Sequence, residues 1–185
     1  TAASRLDPSK KASCTVTVTE LGQDLKAVIW DAEGTVWWSS FNTDSIPNYT
    51  KHSATDLPVN ATMIADGQLY ASTLDTTYGT SALYRVDEKT YEMRKVGDSS
   101  IAYMDMAYAP SLGYGLGVYF NYVVLIDLET GDYVGGWDWT EGTTAELVGI
   151  TYCGTQWNPD YKKNMDVFLL LDADGTVYVD AWPNA

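Results

Sequence analysis

The stretches "WDAEGTVWW" (residues 30–38) and "LDADGTVYV" (171–179) are closely similar, although 141 residues separate them. Each places an acidic turn with glycine between an apolar segment and a run of β-branched and aromatic residues. Aspartate bonds nearby backbone N–H groups and starts a turn, while glycine tolerates positive φ, so both stretches predict a β-hairpin. Their recurrence indicates that the chain is built from repeats.

Two further copies of the hairpin lie between them, "LYRVDEKTYEM" around Asp87 and "VVLIDLETGDYV" around Asp127. From Asp31 to Asp172 the four aspartates are 56, 40 and 45 residues apart. In each copy an apolar strand ends at the aspartate and a second strand follows the turn. The copy at Asp87 has Thr90 where glycine is expected, so its turn is predicted to differ from the others.

A second element precedes three of the copies. The segments "NATMIADGQLYAS" (60–72), "IAYMDMAYAPSLGYGLGVY" (101–119) and "LVGITYCGTQW" (147–157) each read as an inner strand plus a return strand. Four antiparallel strands in about 40–45 residues are typical of a β-propeller blade. The sequence therefore predicts an all-β, β-propeller-like fold with about four blades of four antiparallel strands, and a β-sandwich is the alternative.

The blades are placed at 59–97, 101–140 and 147–182, with a less complete unit at 21–41. Segment 42–58 contains Pro47 and Pro58 and is predicted to be a long loop. The repeats leave two arrangements open. The four units close into a ring by themselves, or they form an open arc that is completed by another chain or by sequence outside 1–185.

Composition narrows the classes of partner. The 185 residues are 45% hydrophobic and 19% charged, which is typical of one globular domain. The 25 acidic against 11 basic residues give a net charge of −14, which disfavours nucleic acid and anionic membranes. No apolar run is long enough to insert into a membrane. Cys14 and Cys153 are too few for a disulfide framework or a metal site, and a single bridge between them is left open.

Two resemblances imply that the chain comes from a secreted surface protein. The segment "KKASCTVTVTE" (10–20) resembles the closing strand of a group-2 bacterial immunoglobulin-like domain, which implies a linker and closing strand of such a domain in 1–20 and a propeller-like domain in 21–185. Runs such as "YMDMAYAP", "GQLYAS" and "VVLIDLETGDYV" resemble the propeller-like repeats of large secreted surface proteins of Gram-positive gut bacteria of the Firmicutes type. The resemblance implies a secreted, cell-surface module and supplies no catalytic residues.

Catalytic and metal chemistry find little support in the sequence. His52 is the single histidine, in a polar segment, and no GxSxG nucleophile motif occurs. Aligning Gly175 of "DADG" with the glycine of an EF-hand loop leaves Leu170 and Ala181 at two ligand positions, so a plain turn is predicted, and weak calcium binding elsewhere stays open. Asp105 is an acid on an inner strand, but its predicted equivalents, Ala65 and Thr151, are not acidic. A glycoside hydrolase, which needs two facing carboxylates, is thus the lesser alternative.

Aromatic residues are the remaining candidates for a binding site, because flat Trp and Tyr rings stack on sugars and anchor protein partners. Trp157, flanked by polar residues in a predicted loop, is expected to be exposed. The other candidates are Tyr114, Tyr119, Trp137 and Trp139, and Asp105 is a candidate ligand-binding residue on an inner strand. The two tryptophans share one strand face by alternation, and form either a binding platform or a core layer between blades.

The sequence thus predicts a non-catalytic recognition or adhesion module that binds a glycan or a protein, with no cofactor and an oligomeric state left open. In this hypothesis, aromatic side chains near 111–119 and 154–164 are exposed. The alternative is a structural or self-assembly spacer, in which those side chains are buried and exposed outer strands pair between copies.

Overall fold

The computed structural model describes residues 2–3, 11–12, 25–31, 34–41, 50–54, 57–139 and 145–183, and every regular element in these ranges is a β-strand. A two-stranded ribbon of β1 and β2 precedes four antiparallel sheets, β3–β5, β6–β9, β10–β13 and β14–β16. The first eight strands are β1 (Ala2–Ala3), β2 (Lys11–Ala12), β3 (Leu25–Trp30), β4 (Thr35–Phe41), β5 (Thr50–Ala54), β6 (Val59–Ala65), β7 (Gln68–Asp75) and β8 (Thr80–Val86). The others are β9 (Met93–Ser99), β10 (Asp105–Ala109), β11 (Tyr114–Tyr119), β12 (Tyr122–Ile126), β13 (Tyr133–Asp138), β14 (Leu147–Asn158), β15 (Lys163–Asp172) and β16 (Val177–Pro183).

In each of the four sheets, neighbouring strands follow one another in the sequence and pair antiparallel. The first strand of the third sheet, β10, contacts the first strands of both flanking sheets, β6 and β14. Four small sheets in chain order, with their first strands side by side, form a propeller-like arrangement rather than two sheets of a sandwich. The all-β, propeller-like prediction is confirmed.

Apolar clusters fill the spaces between consecutive sheets. Large side chains from both sides meet in each space, because alternate residues of a buried strand face opposite neighbours. The three clusters are centred on Val36, Ala71 and Val86, on Met63, Leu83, Met106 and Ile126, and on Leu116, Val123, Phe168 and Leu170. Burial between sheets therefore holds the arrangement together.

The aspartate turns form two pairs rather than four copies of one turn. In the turns at Asp31 and Asp172, the threonine four residues on donates its N–H to the aspartate Oδ1 at 2.8 Å. The turns at Asp87 and Asp127 are one residue longer, and the residue four positions on donates its N–H to the aspartate carbonyl. Thr90 thus matches Thr130, and the turn at Asp87 differs from those at Asp31 and Asp172 as predicted but has the same form as the turn at Asp127.

Three further expectations are corrected. Segment 147–157 is not a strand and its return: it lies in one strand, β14, because Gly154 (φ 98°) sits at a bulge in the β14–β15 ladder rather than in a turn. The predicted loop at 42–58 contains β5, with His52 in it. The last sheet has three described strands instead of four, whereas the first, predicted at 21–41 to be less complete, has three described strands and extends to Ala54.

Antiparallel order puts the first and third turns of each sheet on one side. We call the side with turns 66–67, 87–92, 110–113, 127–132 and 159–162 the upper face, and the side with turns 76–79, 120–121 and 173–176 the lower face. Two links across sheets agree with this arrangement. Tyr108 Oη donates to Asp66 Oδ2 at 2.7 Å on the upper face, and Leu147 N donates to Phe120 O at 2.9 Å on the lower face.

The described residues cover little of the predicted immunoglobulin-like strand and can be searched for membrane-spanning helices. Most of segment 10–20, assigned to an immunoglobulin-like domain, lies outside the described residues, although Lys11–Ala12 forms β2. That assignment stays a prediction. In the described ranges no helix long and apolar enough to cross a membrane is found.

Candidate functional site

The hairpin of β14 and β15 ends in an exposed aromatic tip. Trp157 pairs with Asn164 one step before the last pair of the ladder, and 61% of its surface is exposed. Tyr161, in the turn that follows, is 66% exposed. Trp157 is thus exposed as expected, although it lies in a strand rather than in a loop. We call residues 153–164 the aromatic hairpin.

The turn of the aromatic hairpin is fixed by Asn158. Its Oδ1 accepts the backbone N–H groups of Asp160 at 2.9 Å and Tyr161 at 3.2 Å. Such an Asx turn holds the loop without help from the core. Tyr161 is therefore presented on an ordered turn, which lowers the entropy lost when a ligand binds. The sequence analysis missed Tyr161, and the spacing Asn-x-x-Tyr was the available signal.

The two tyrosines of β11 lie at opposite ends of the strand and belong to different surfaces. Tyr114, 37% exposed, lines an upper-face groove of about 460 Å³ together with Arg85 and Glu129. Tyr119, half-buried, packs edge-on against Phe120 near the lower face, with ring centroids 4.7 Å apart. A strand of this length separates them by roughly 17 Å, so they do not form one site.

Trp137 and Trp139 form a core layer rather than an exposed platform. Both are half-buried and pack against the cluster around Phe168 between the third and fourth sheets. Trp139 meets Tyr178 edge-on at 6.1 Å, and Trp137 Nε1 donates to Asp180 Oδ2 at 3.4 Å. Both rings pack against the last sheet. The structure therefore supports a core layer between blades for this pair rather than an exposed binding platform.

Asp105 ties the third sheet to the fourth. Its Oδ2 accepts the N–H of Ile150 in β14 at 2.9 Å, and its Oδ1 accepts the N–H of Met106 at 2.9 Å. Burial raises the pKa of Asp105, and the two N–H groups oppose this only in part. With both oxygens occupied by backbone donors, the carboxylate acts as a link between inner strands.

The raised pKa of Asp105 makes its contribution to stability dependent on pH. The folded state holds this proton more tightly than the unfolded state, so the contribution is fully present below the ordinary value of 3.8 and is lost as pH rises through the folded pKa. We expect the stability advantage of the wild type over Asp105→Asn to shrink from pH 3 to pH 7 in urea unfolding. A difference that stays constant with pH would contradict this reading.

Neither a metal site nor a disulfide is assembled by the described residues. Among them, no group of three or more His, Cys, Asp or Glu side chains is placed to hold an ion. Asp172 of the "DADG" turn is 2% exposed; its Oδ1 accepts two backbone N–H groups and its Oδ2 accepts the Tyr178 hydroxyl at 2.7 Å. Cys153 is an exposed free thiol, and Cys14 lies outside the described residues.

Besides the aromatic hairpin and the groove at Tyr114, the outer side of the last sheet is a candidate binding surface. Leu171, Val177 and Val179 are 38%, 59% and 68% exposed, and strand pairing puts Leu171 opposite Val177. We call these three residues the apolar end. It is the kind of surface that the chain covers elsewhere by stacking another sheet.

Comparison with known proteins gives fold-level similarity only. No protein-family model matches the chain, and no curated protein matches it significantly. Among solved structures it aligns with Saccharomyces cerevisiae Sqt1 at a TM-score of 0.49 and 11% identity, over 83% of this chain and 40% of that one. An auxiliary nutrient binding protein from Bacteroides thetaiotaomicron aligns at 0.38 and 16%, over 82% and 46%. Kuenenia stuttgartiensis hydrazine synthase aligns at 0.40 and 14%, over 80% and 43%.

The chain spans less than half the length of each of these three structures. The assignment to a propeller-like fold rests on the strand order and sheet contacts of the chain itself.

Proposed function

We propose that this chain is a non-catalytic recognition module of a secreted cell-surface protein and that it binds a glycan through the aromatic hairpin. The observation that carries the proposal is the exposure of Trp157 and Tyr161 on a hairpin tip ordered by Asn158. Because both rings are exposed, they contribute little to the stability of the isolated chain. Their burial against a flat apolar ligand surface would contribute much to the affinity for that ligand.

A spacer does not require this exposure. In a purely structural module, aromatic side chains of this size are expected to be covered, as Trp137 and Trp139 are. The hairpin tip also combines its rings with hydrogen-bonding groups: Gln156, Asn164 and Lys163 are exposed around them. Rings next to amides and an ammonium group suit a sugar, whose ring faces are apolar and whose edges carry hydroxyl groups.

Trp157→Ala is expected to weaken glycan binding by about 30-fold or more, the effect of losing a central aromatic anchor. Because Trp157 is mostly exposed, the free energy of unfolding should change by no more than about 0.5 kcal/mol. Isothermal titration and thermal unfolding of the same samples measure the two effects. A large loss of stability with unchanged affinity would contradict the assignment of Trp157 to the glycan-binding site.

Tyr78→Ala is the matched control for Tyr161→Ala. Tyr78 is 79% exposed and follows Asp75 by three residues, as Tyr161 follows Asn158, and Asp75 Oδ1 accepts the N–H groups of Thr77 and Tyr78 in the same way. Its turn lies on the lower face. Tyr161→Ala should reduce affinity while Tyr78→Ala leaves it unchanged, and equal effects of the two substitutions would exclude the hairpin as the site.

The apolar end supports a second candidate function, self-association with a second copy of the chain. Val177 and Val179 expose a flat apolar sheet face, and the chain covers such faces elsewhere by stacking sheets. Sedimentation at increasing concentration, compared with Val179→Glu, tests it. A monomer at all concentrations would exclude this candidate.

A further inference from the structure

An apolar groove of about 310 Å³ runs along the outer part of the third sheet. Strand pairing places its tyrosines on the side of this sheet that faces the second sheet. Tyr119 pairs with Tyr122, and Tyr133 pairs with Ile126, which packs in the cluster between the second and third sheets. The lining consists of Ile101, Tyr119, Tyr122, Val124, Tyr133, Gly135 and Gly136. We call it the tyrosine groove.

Two rings of the tyrosine groove are presented to solvent. Tyr122 and Tyr133 lie at its two ends and are 45% and 43% exposed. Val124, which is buried, forms the floor between them. Gly136 pairs with Val124 and contributes no side chain, so the space above the floor stays open. A ligand lying in the groove would therefore contact both rings.

The chemistry of the lining favours a ligand with apolar rings and few hydrogen-bond donors. None of the seven lining residues is charged, and tyrosine hydroxyls are the only polar side-chain groups among them. A sugar carries hydroxyl groups around each ring and would lose their contacts with water here without full replacement. Proline has an apolar ring and no backbone N–H, and the carbonyl groups of a proline-rich segment can accept the tyrosine hydroxyls.

The length of the groove fits a short extended segment. Tyr133 pairs with Ile126, four residues beyond Tyr122 along β12, which is roughly 13 Å at the usual rise of a strand. A polyproline II helix rises about 3.1 Å per residue, so about four residues cover this distance. Proline-rich segments dock in aromatic-lined grooves in this conformation, which is already ordered before binding.

Acidic residues stand next to both end rings. Asp138 pairs with Tyr122 and is exposed, and Asp132 directly precedes Tyr133. The whole chain carries a net charge of −14. Basic residues on either side of a proline-rich segment would therefore be attracted to the ends of the groove, which steers the segment and fixes its position.

We propose that the tyrosine groove binds a proline-rich segment of a partner protein, flanked by basic residues. The surface is separate from the proposed glycan site. Tyr119 and Tyr122 flank turn 120–121 on the lower face, whereas the aromatic hairpin lies on the upper face. The module can therefore hold a glycan and a protein partner at the same time.

The test is a fluorescence anisotropy titration with a labelled peptide of five prolines that has one arginine at each end. The comparison peptide keeps the arginines and replaces the prolines with glycine and serine. We expect the proline peptide to bind at least about tenfold more tightly, because it loses less conformational entropy and brings the apolar rings. In NMR spectra it should shift the amide signals of Gly135 and Gly136 and leave those of the aromatic hairpin in place.

Tyr133→Ala and Tyr122→Ala should each weaken binding of the proline peptide at least about tenfold, the effect of losing an aromatic anchor. Because both rings are exposed, both variants are expected to stay folded, which thermal unfolding checks. Tyr161→Ala, at an exposed tyrosine of the aromatic hairpin, is the matched control and should leave the affinity unchanged. Asp138→Asn should lower both the affinity and its dependence on salt.

Equal affinity for the two peptides, no binding of the proline peptide, or unchanged affinity in both folded tyrosine variants would overturn the groove assignment. A glycan signal that Tyr133→Ala abolishes would overturn it as well, because the groove would then be a sugar site. Failure of the proposed function is distinguishable. If the proline peptide binds and no glycan does, the hairpin assignment fails and the groove stands. If a glycan binds in a Trp157-dependent manner and the peptide does not bind, the groove assignment fails and the hairpin stands.

Discussion

Gly97→Ala is expected to destabilise the protein by about 3 kcal/mol or more, at the upper end of the cost of overpacking. A Cβ added at Gly97 in β9 would lie 1.8 Å from the carbonyl oxygen of Thr130 in the turn of the next sheet. The obstacle is backbone on both sides, so neither a side-chain rotation nor a small shift relieves it. The second and third sheets would have to separate at this point.

Gly135→Ala is the matched control, because Gly135 also lies in the fourth strand of its sheet, in β13. An added Cβ there meets nothing within 4 Å. Alanine should be neutral or slightly stabilising, since it lowers the entropy of the unfolded chain. Urea unfolding of both variants measures the difference. Similar stability of the two would show that β9 and the turn after Asp127 are not packed as described.

Phe168→Ala is expected to cost about 3–5 kcal/mol, the usual effect of emptying a buried aromatic site. Phe168 is 1% exposed, packs 5.5 Å from the Tyr152 ring, and lies at the centre of the cluster between the third and fourth sheets. The same cluster holds Trp137 and Trp139. Its loss should also increase the solvent exposure of their indoles, seen as a red shift of tryptophan fluorescence.

Leu171→Ala, three residues further along β15 and on the opposite face, is the control for this substitution. Leu171 is 38% exposed, so its truncation should cost less than about 1 kcal/mol. Thermal unfolding in parallel gives the comparison. Equal losses for the two variants would mean that both faces of the last sheet are covered, which would contradict the exposed apolar end.

The hairpins were predictable because their signals are local. An aspartate that accepts nearby N–H groups and a following glycine determine a turn within five residues, and the turns at Asp31 and Asp172 form as expected. Trp157 was also identified from its polar neighbours. The return strand predicted in segment 147–157 does not form, because Gly154 lies in a bulge; a bulge glycine and a turn glycine have the same local signal, and only pairing with β15 separates them.

Features formed between sheets were not predictable from the same signals. Tyr91 replaces a turn glycine because its ring reaches Trp30 in another sheet, 61 residues earlier, and no spacing rule connects the two. The choice between platform and core for Trp137 and Trp139 likewise depended on Phe168 and Tyr178 of the following sheet. The periodicity of the sequence predicts the strands, whereas the roles of individual side chains depend on how the sheets pack.

The most direct test of glycan recognition through the aromatic hairpin is a glycan array probed with the wild type and with Trp157→Ala, each with and without millimolar calcium. We expect that the wild type binds one family of sugars and that Trp157→Ala loses the signal in both conditions. A blank array for the folded wild type, or equal signals for the two proteins, would contradict it.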